Sequence, residues 1–160
     1  MQYSGTFTPT APAALAAVAS THDPIADARE MLRRAAHLPF AASQPGVWSS
    51  RFVQHVGAAR DFVRQHIFKS LRPDSPMSAI GREEPRLTTA IRRQKQEHAE
   101  LAQAAEELYA QAKTSATADI WRMIELGEQA ILLEMALARH HNRLTQLVYE
   151  STHQDIGGEG

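Results

Sequence analysis

Eight histidines and no cysteine leave imidazole and carboxylate as the side chains with which this chain could bind a metal or move a proton. Thiolate metal sites, disulfides and cysteine nucleophiles are excluded together. Four of the histidines, His22, His66, His98 and His141, fall on lines of apolar residues that repeat at three- and four-residue steps, one histidine to each helical stretch. Burying four imidazoles in one small core leaves polar nitrogens in need of partners, and a metal ion or prosthetic group satisfies them more readily than Leu or Val can. Neutral imidazole is a common ligand of iron, zinc and copper, and the interior of a helical bundle is where facing helices converge on such ions. Glu134 lies seven residues before His141, two turns along the same face. An inward carboxylate in an apolar stripe calls for a cation, or else pairs with a residue such as Arg139. The candidate ligands are therefore His22, His66, His98, His141 and Glu134.

The other histidines read differently. His37 sits near a helix end, where a cation suits the dipole, and His153 sits in a polar tail. His55 shares a face with His66 at another depth. His140 must point about 100° away from His141, so only one of them faces fully inward. A depth estimate complicates convergence: counted from the turn between the last two helices, His98 and Glu134 lie level, and His141 lies about 10 Å beyond them at 1.5 Å per residue. A metal-free alternative has the buried imidazoles hydrogen-bonding to polar core partners such as Gln94, Glu134 and Thr145.

The elements that would position these residues are four helical stretches separated by breakers. Residues 1–12 form a Thr-, Pro- and Ser-rich lead-in without an apolar period. The first stripe runs Leu15, Val18, Ile25, Leu32 and Ala36. Pro24 suggests a helix capped by Thr21, with Ala13 to Ser20 as a separate short piece. Leu38-Pro39 ends it, and Ser43-Gln44-Pro45-Gly46 reads as a turn. The second stripe is Phe52, Val56, Ala59, Val63, His66 and Ser70. Residues 72–85, with three prolines, read as a long loop with a short helical turn around Ser78. The third line is Leu87, Ile91, Gln94, His98, Leu101, Ala105, Leu108 and Ala112. The fourth follows the Thr114 to Thr117 cluster as Ile120, Ile124, Gly127, Ile131, Glu134, Leu137 or Ala138, His141, Leu144 and Val148, before a flexible tail over 152–160. No strand-like alternation competes, so the expectation is an all-α protein, an up-and-down antiparallel four-helix bundle over residues 13–151.

Lys plus Arg is 17 against 18 for Asp plus Glu, a net charge of -1. That balance gives no electrostatic reason to expect nucleic acid or an anionic membrane as partner. The basic residues Arg86, Arg92, Arg93 and Lys95 are offset by Glu97, Glu100, Glu106 and Glu107, which reads as a solvated face. No run of about 20 apolar residues occurs and the N-terminus lacks a basic n-region, so a cytoplasmic location is expected, with a homodimer left open. Glycine-rich phosphate loops, nucleophile elbows and His-Glu-x-x-His pairs are absent.

The segments Thr21-His22-Asp23-Pro24-Ile25, Phe62-Val63-Arg64-Gln65-His66-Ile67, Gln96-Glu97-His98-Ala99-Glu100-Leu101 and Leu137-Ala138-Arg139-His140-His141, in this order on four helices, resemble the hemerythrin-like (HHE cation-binding) family. The resemblance covers about residues 19–151. It implies a bundle holding non-haem iron, used for oxygen or iron sensing, storage or small-molecule reactivity. The chain departs from the family pattern where bridging carboxylates are normally found, with Ser70 four residues after His66 and Thr145 and Gln146 four and five after His141, and where the third helix normally gives a second histidine, with Gln94 and Ala102 four residues either side of His98. Two ferric ions without bridging carboxylates would repel with little neutralisation. A single ion, or a haem with histidine axial ligands, stays open. For a haem slot, Trp48, Phe52, Phe62, Phe68, Trp121 and Met135 would offer apolar lining.

Overall fold

The computed structural model describes residues 22–40, 44–115 and 119–153, and every regular element among them is helical. The lead-in over 1–12, the expected piece from Ala13 to Ser20, the Thr21 cap and most of the tail lie outside the described residues. Five α-helices follow in order: α1 (Pro24–Ala36), α2 (Pro45–Ser70), α3 (Pro76–Glu83), α4 (Thr88–Thr114) and α5 (Ile120–Thr152), with a single 3₁₀ turn, Pro85–Leu87, leading into α4. None is long and apolar enough to cross a membrane.

Local chemistry sets the boundaries. The Asp23 carboxylate accepts from Ile25 N at 3.0 Å, and Pro24 opens α1 with a ring already at helical φ. Pro45 does the same for α2, so Pro45 and Gly46, expected in a turn, belong to the helix. The expected loop over 72–85 contains a full helix. Ser75 Oγ accepts from Ser78 N at 3.2 Å as the cap of α3 and donates to Ser70 O at 2.7 Å, which ties α3 to the end of α2. Asp119 caps α5 through Arg122 N at 2.9 Å.

The four long helices close a ring, α1 on α2, α2 on α4, α4 on α5 and α5 on α1. Partner numbers rise along one helix as they fall along the next: Arg64 and His66 of α2 meet Glu106 and His98 of α4, and Gln111 and Glu97 of α4 meet Arg122 and His140 of α5. Gly57 lets α2 approach α4 here, since a Cβ at this position would stand 3.1 Å from the Tyr109 ring. The main apolar core draws on all four helices, including Leu32, Phe52, Val63, Leu101, Leu126 and Leu137. Each such side chain, fully buried, contributes about 1.5–3 kcal/mol. A second, smaller cluster forms where α3 covers the ring, from Met77, Ile80, Leu87, Ile91, Leu147 and Val148.

The expected inward lines hold on α2 and α4 and slip on α5; of the first line Ile25 and Leu32 are buried, Ala36 is only partly so, and Leu15 and Val18 lie outside the described residues. Every residue of the α4 line from Leu87 to Ala112 is buried, and on α2 the line from Phe52 to His66 is buried. On α5 the buried residues are Met123, Leu126, Ala130, Leu133, Leu137, His140, Leu147 and Val148, a phase about one residue earlier than expected. The slip has a cause: Ile120, Ile124, Ile131, Leu132 and Met135 are exposed, so α5 carries apolar residues on two faces and period alone favoured the wrong one. Phe68 and Trp121, offered as cofactor lining, are exposed as well, while Trp48 and Phe52 are buried in the main core.

Candidate metal centre

Between the two apolar clusters lies a layer of histidines. Val63, Leu101 and Leu137, all in the main core, sit three residues from His66, His98 and His140 respectively. Ile91 and Leu147, in the second cluster, sit seven residues from His98 and His140 on the other side. The three rings are buried and meet edge to face, with centroids 5.2, 5.2 and 4.9 Å apart. One ring nitrogen from each lies within 4.8 Å of the other two.

The closest approach is His66 Nε2 to His140 Nε2, 3.1 Å. Two imidazole nitrogens on one tetrahedral ion, each bonded at about 2.0–2.1 Å, stand about 3.3 Å apart. The pair is therefore already at ligand spacing. His140 Nδ1 lies 3.0 Å from Glu97 Oε2, so its hydrogen belongs on Nδ1, donated to the carboxylate, and Nε2 carries a lone pair that accepts from His66 Nε2–H and could instead bind an ion. Glu97 is held in turn by Arg143 Nε at 2.8 Å and Arg93 Nε at 3.2 Å from its other oxygen. A carboxylate behind a histidine whose far nitrogen points at its neighbours is the usual support of a metal-bound imidazole. His98 Nδ1 is buried with no hydrogen-bond partner, and so is Gln94 Oε1 one turn earlier.

Burial sets the protonation state. It drives His66 from 6.5 down to about 3, helped by the neighbouring His140 and His98, and drives His98 down to about 4. His140 is lowered too, because desolvation outweighs the opposing pull of Glu97. Burial of Glu97 opposes its ionisation, but His140 and Arg143 hold its carboxyl below the usual value. Near neutral pH the layer thus presents three uncharged imidazoles, the form that binds a metal.

Of the five ligands expected from sequence, His66 and His98 stand in this trio and the other three do not. His140 takes the place given to His141, following the one-residue phase of α5. His141 is partly exposed, with its Nδ1 3.4 Å from Asp23 Oδ2. His22 is exposed and paired with Asp27. Glu134 is one residue beyond the buried Leu133 and serves α1, accepting from Arg29 Nε at 2.8 Å with Arg33 Nε at 3.4 Å. The four expected histidines do not converge, as the depth estimate allowed, yet His140 reaches His98 because helical side chains lean toward their own N-terminus. On helices running in opposite directions, His98 reaches away from the α4–α5 connection and His140 reaches toward it, closing the gap.

Glu97 is the residue that sequence reasoning missed, placed with the solvated charges of α4. Its signal was present: it lies three residues after Gln94 and four before Leu101, both on the inward line.

No protein-family model matches the chain, and neither a curated protein nor a solved structure is detectably similar to it.

Proposed function

We propose that the chain is a metal-binding helical protein that holds one divalent transition-metal ion through His66, His98 and His140, with Glu97 orienting His140 from behind. The observation that carries this reading is the convergence of three buried, uncharged imidazoles, one of them with an orphaned nitrogen. An unpaired buried polar group costs about 1–3 kcal/mol, and a bound ion would remove that cost. The ring of helix pairings supports the finer fold reading as well, an up-and-down four-helix bundle made by α1, α2, α4 and α5, with α3 added over one end.

The donor set bears on which ion. Among the described residues the carboxylate held at the trio is Glu97, which is occupied by His140 and two arginines, so none of them offers a bridge to a second metal. The residues suit a mononuclear site rather than the di-iron centre of the hemerythrin-like pattern. Within that resemblance the chain is a divergent member whose task is iron sensing, storage or small-molecule reactivity. Three imidazoles also suit zinc or copper. Haem is disfavoured on geometry: a porphyrin occupies four coplanar positions and leaves two opposite ones, so three converging imidazoles cannot all reach its iron. A bound ion would supply Lewis acidity at any position the protein leaves open.

Elemental analysis with a visible spectrum, on protein prepared without an affinity tag, tests this directly. One equivalent of a non-haem metal per chain, or its uptake on reconstitution, is the expected result. No uptake would overturn the proposal, and a Soret band would replace it with haem binding.

A further inference from the structure

The histidine layer is not sealed on every side. A cavity of about 420 Å³ opens beside it, bounded by the start of α1, the ends of α2 and α5, and the start of α3. That volume falls in the range of small-molecule sites, about 300–1,000 Å³. His66 is the one member of the trio that lines it. Ser70, one turn further along α2, lines it too, and its Oγ stands 3.4 Å from His66 Nε2, the nitrogen turned toward the other two rings. The cavity wall therefore reaches the atoms that would hold the ion.

Its lining is mostly apolar, with Met77, Leu144, Val148 and Tyr149 among the walls. Two charged residues belong to it, Asp23 and Lys69. Asp23 is engaged by His141. Lys69 pairs with no carboxylate among the described residues, and its charge lies close enough to weigh against a proton on His66.

We propose that this cavity receives a small monocarboxylate with an apolar body, its carboxylate completing the coordination of the ion on His66, His98 and His140 and facing Lys69. The inference rests on the three-histidine reading above. Three neutral imidazoles cancel none of the ion's charge, and Glu97 acts on the far side of His140 where two arginines offset it, so the open face of the ion attracts an anion. Lys69 adds to that attraction. The lining offers no second lysine or arginine to another negative charge, and placing one against Met77, Leu144 and Val148 carries a desolvation cost that selects against dianions. An apolar body gains by covering those same walls.

The test uses the full chain loaded with cobalt(II), whose visible bands report changes in coordination. Benzoate, acetate and inorganic phosphate are titrated in turn. Benzoate is expected to shift the bands saturably and to bind at least about tenfold more tightly than acetate, by burying its ring, with phosphate weaker still. Lys69→Gln should weaken benzoate several-fold. Thr145→Trp, at an exposed position of the lining, should bring benzoate down to the level of acetate. Thr145→Trp should keep cobalt affinity unchanged, and Lys69→Gln should not lower it, since it removes a positive charge beside the site. Bound cobalt whose bands ignore benzoate, or a benzoate affinity equal to that of acetate or untouched by both substitutions, would overturn the chamber alone. A chain that takes up no cobalt would remove the three-histidine reading and the chamber together.

Discussion

Two groups of histidines lie within a few turns of each other and behave in opposite ways. His66, His98 and His140 are buried between two apolar clusters, and their polar atoms face one another. His22, His141 and His153 line the cavity beside them, and each answers to a surface partner: Asp27, Asp23 and the Tyr149 ring, on which His153 stacks at 3.7 Å. The residue type is the same and the neighbours differ. Where water is excluded, an imidazole needs a designated partner, and among the described residues the inner group has itself, Glu97 and Ser70. Where water is present, the ring can be exchanged at little cost. Chemistry should therefore belong to the inner group, and substitutions can break or sharpen that contrast.

The largest effect is expected from the inner group itself. His66→Ala should weaken metal binding by at least about a hundredfold, since even loss of an outer-shell partner costs 10–100-fold. His22→Ala should leave affinity within about twofold. Calorimetric titration of the metal-free proteins checks both. His98→Leu separates binding from folding: it should abolish uptake while raising the melting temperature of the metal-free protein, because it deletes the orphaned Nδ1 at similar volume.

Next comes pH. His66 is lowered to about 3 and His98 to about 4 in the folded protein, against an ordinary 6.5. Unfolding thus takes up protons below pH 6.5, so stability of the metal-free protein is complete above that value and is lost as pH falls toward 4 and then 3. Over the full range the two shifts set an upper bound of about 8 kcal/mol on the loss, one pKa unit being about 1.4 kcal/mol. Urea melts at pH 7, 5.5 and 4.5 would show it. A flat profile would mean that the inner rings are already hydrated.

A smaller change should follow Glu97→Gln, which leaves His140 Nδ1 a neutral acceptor in place of a carboxylate. Metal affinity should drop by about 10–100-fold with the helical spectrum intact. The smallest should follow Glu134→Gln. It loosens the pairs to Arg29 and Arg33, which are worth about 1 kcal/mol or less, and leaves metal affinity unchanged. A large drop in affinity there would return Glu134 to the site.

These residues also mark how far the sequence could be read. On α4 the inward line was legible to the residue, Gln94 and His98 included, because its opposite face is charged, polar or small and only one phase is apolar. On α5 the same method chose His141 and Glu134, each one residue late, because Ile124, Ile131 and Met135 make a second apolar face that exposure alone exposes as outer. Glu97 was hidden by its type: a glutamate among arginines reads as surface until a buried imidazole is found beside it. α3 was read only as a short helical turn around Ser78 because of the prolines about it, although Pro76 stands at a first-turn position where proline favours a helix.

The adjacent pair His140 and His141 offers the most direct test of the central claim. Metal uptake by tag-free His140→Ala and His141→Ala should be measured side by side by equilibrium titration with elemental analysis. The account predicts one equivalent bound by His141→Ala, as by the unaltered chain, and none retained by His140→Ala. Loss of binding in His141→Ala, with binding kept in His140→Ala, would contradict it.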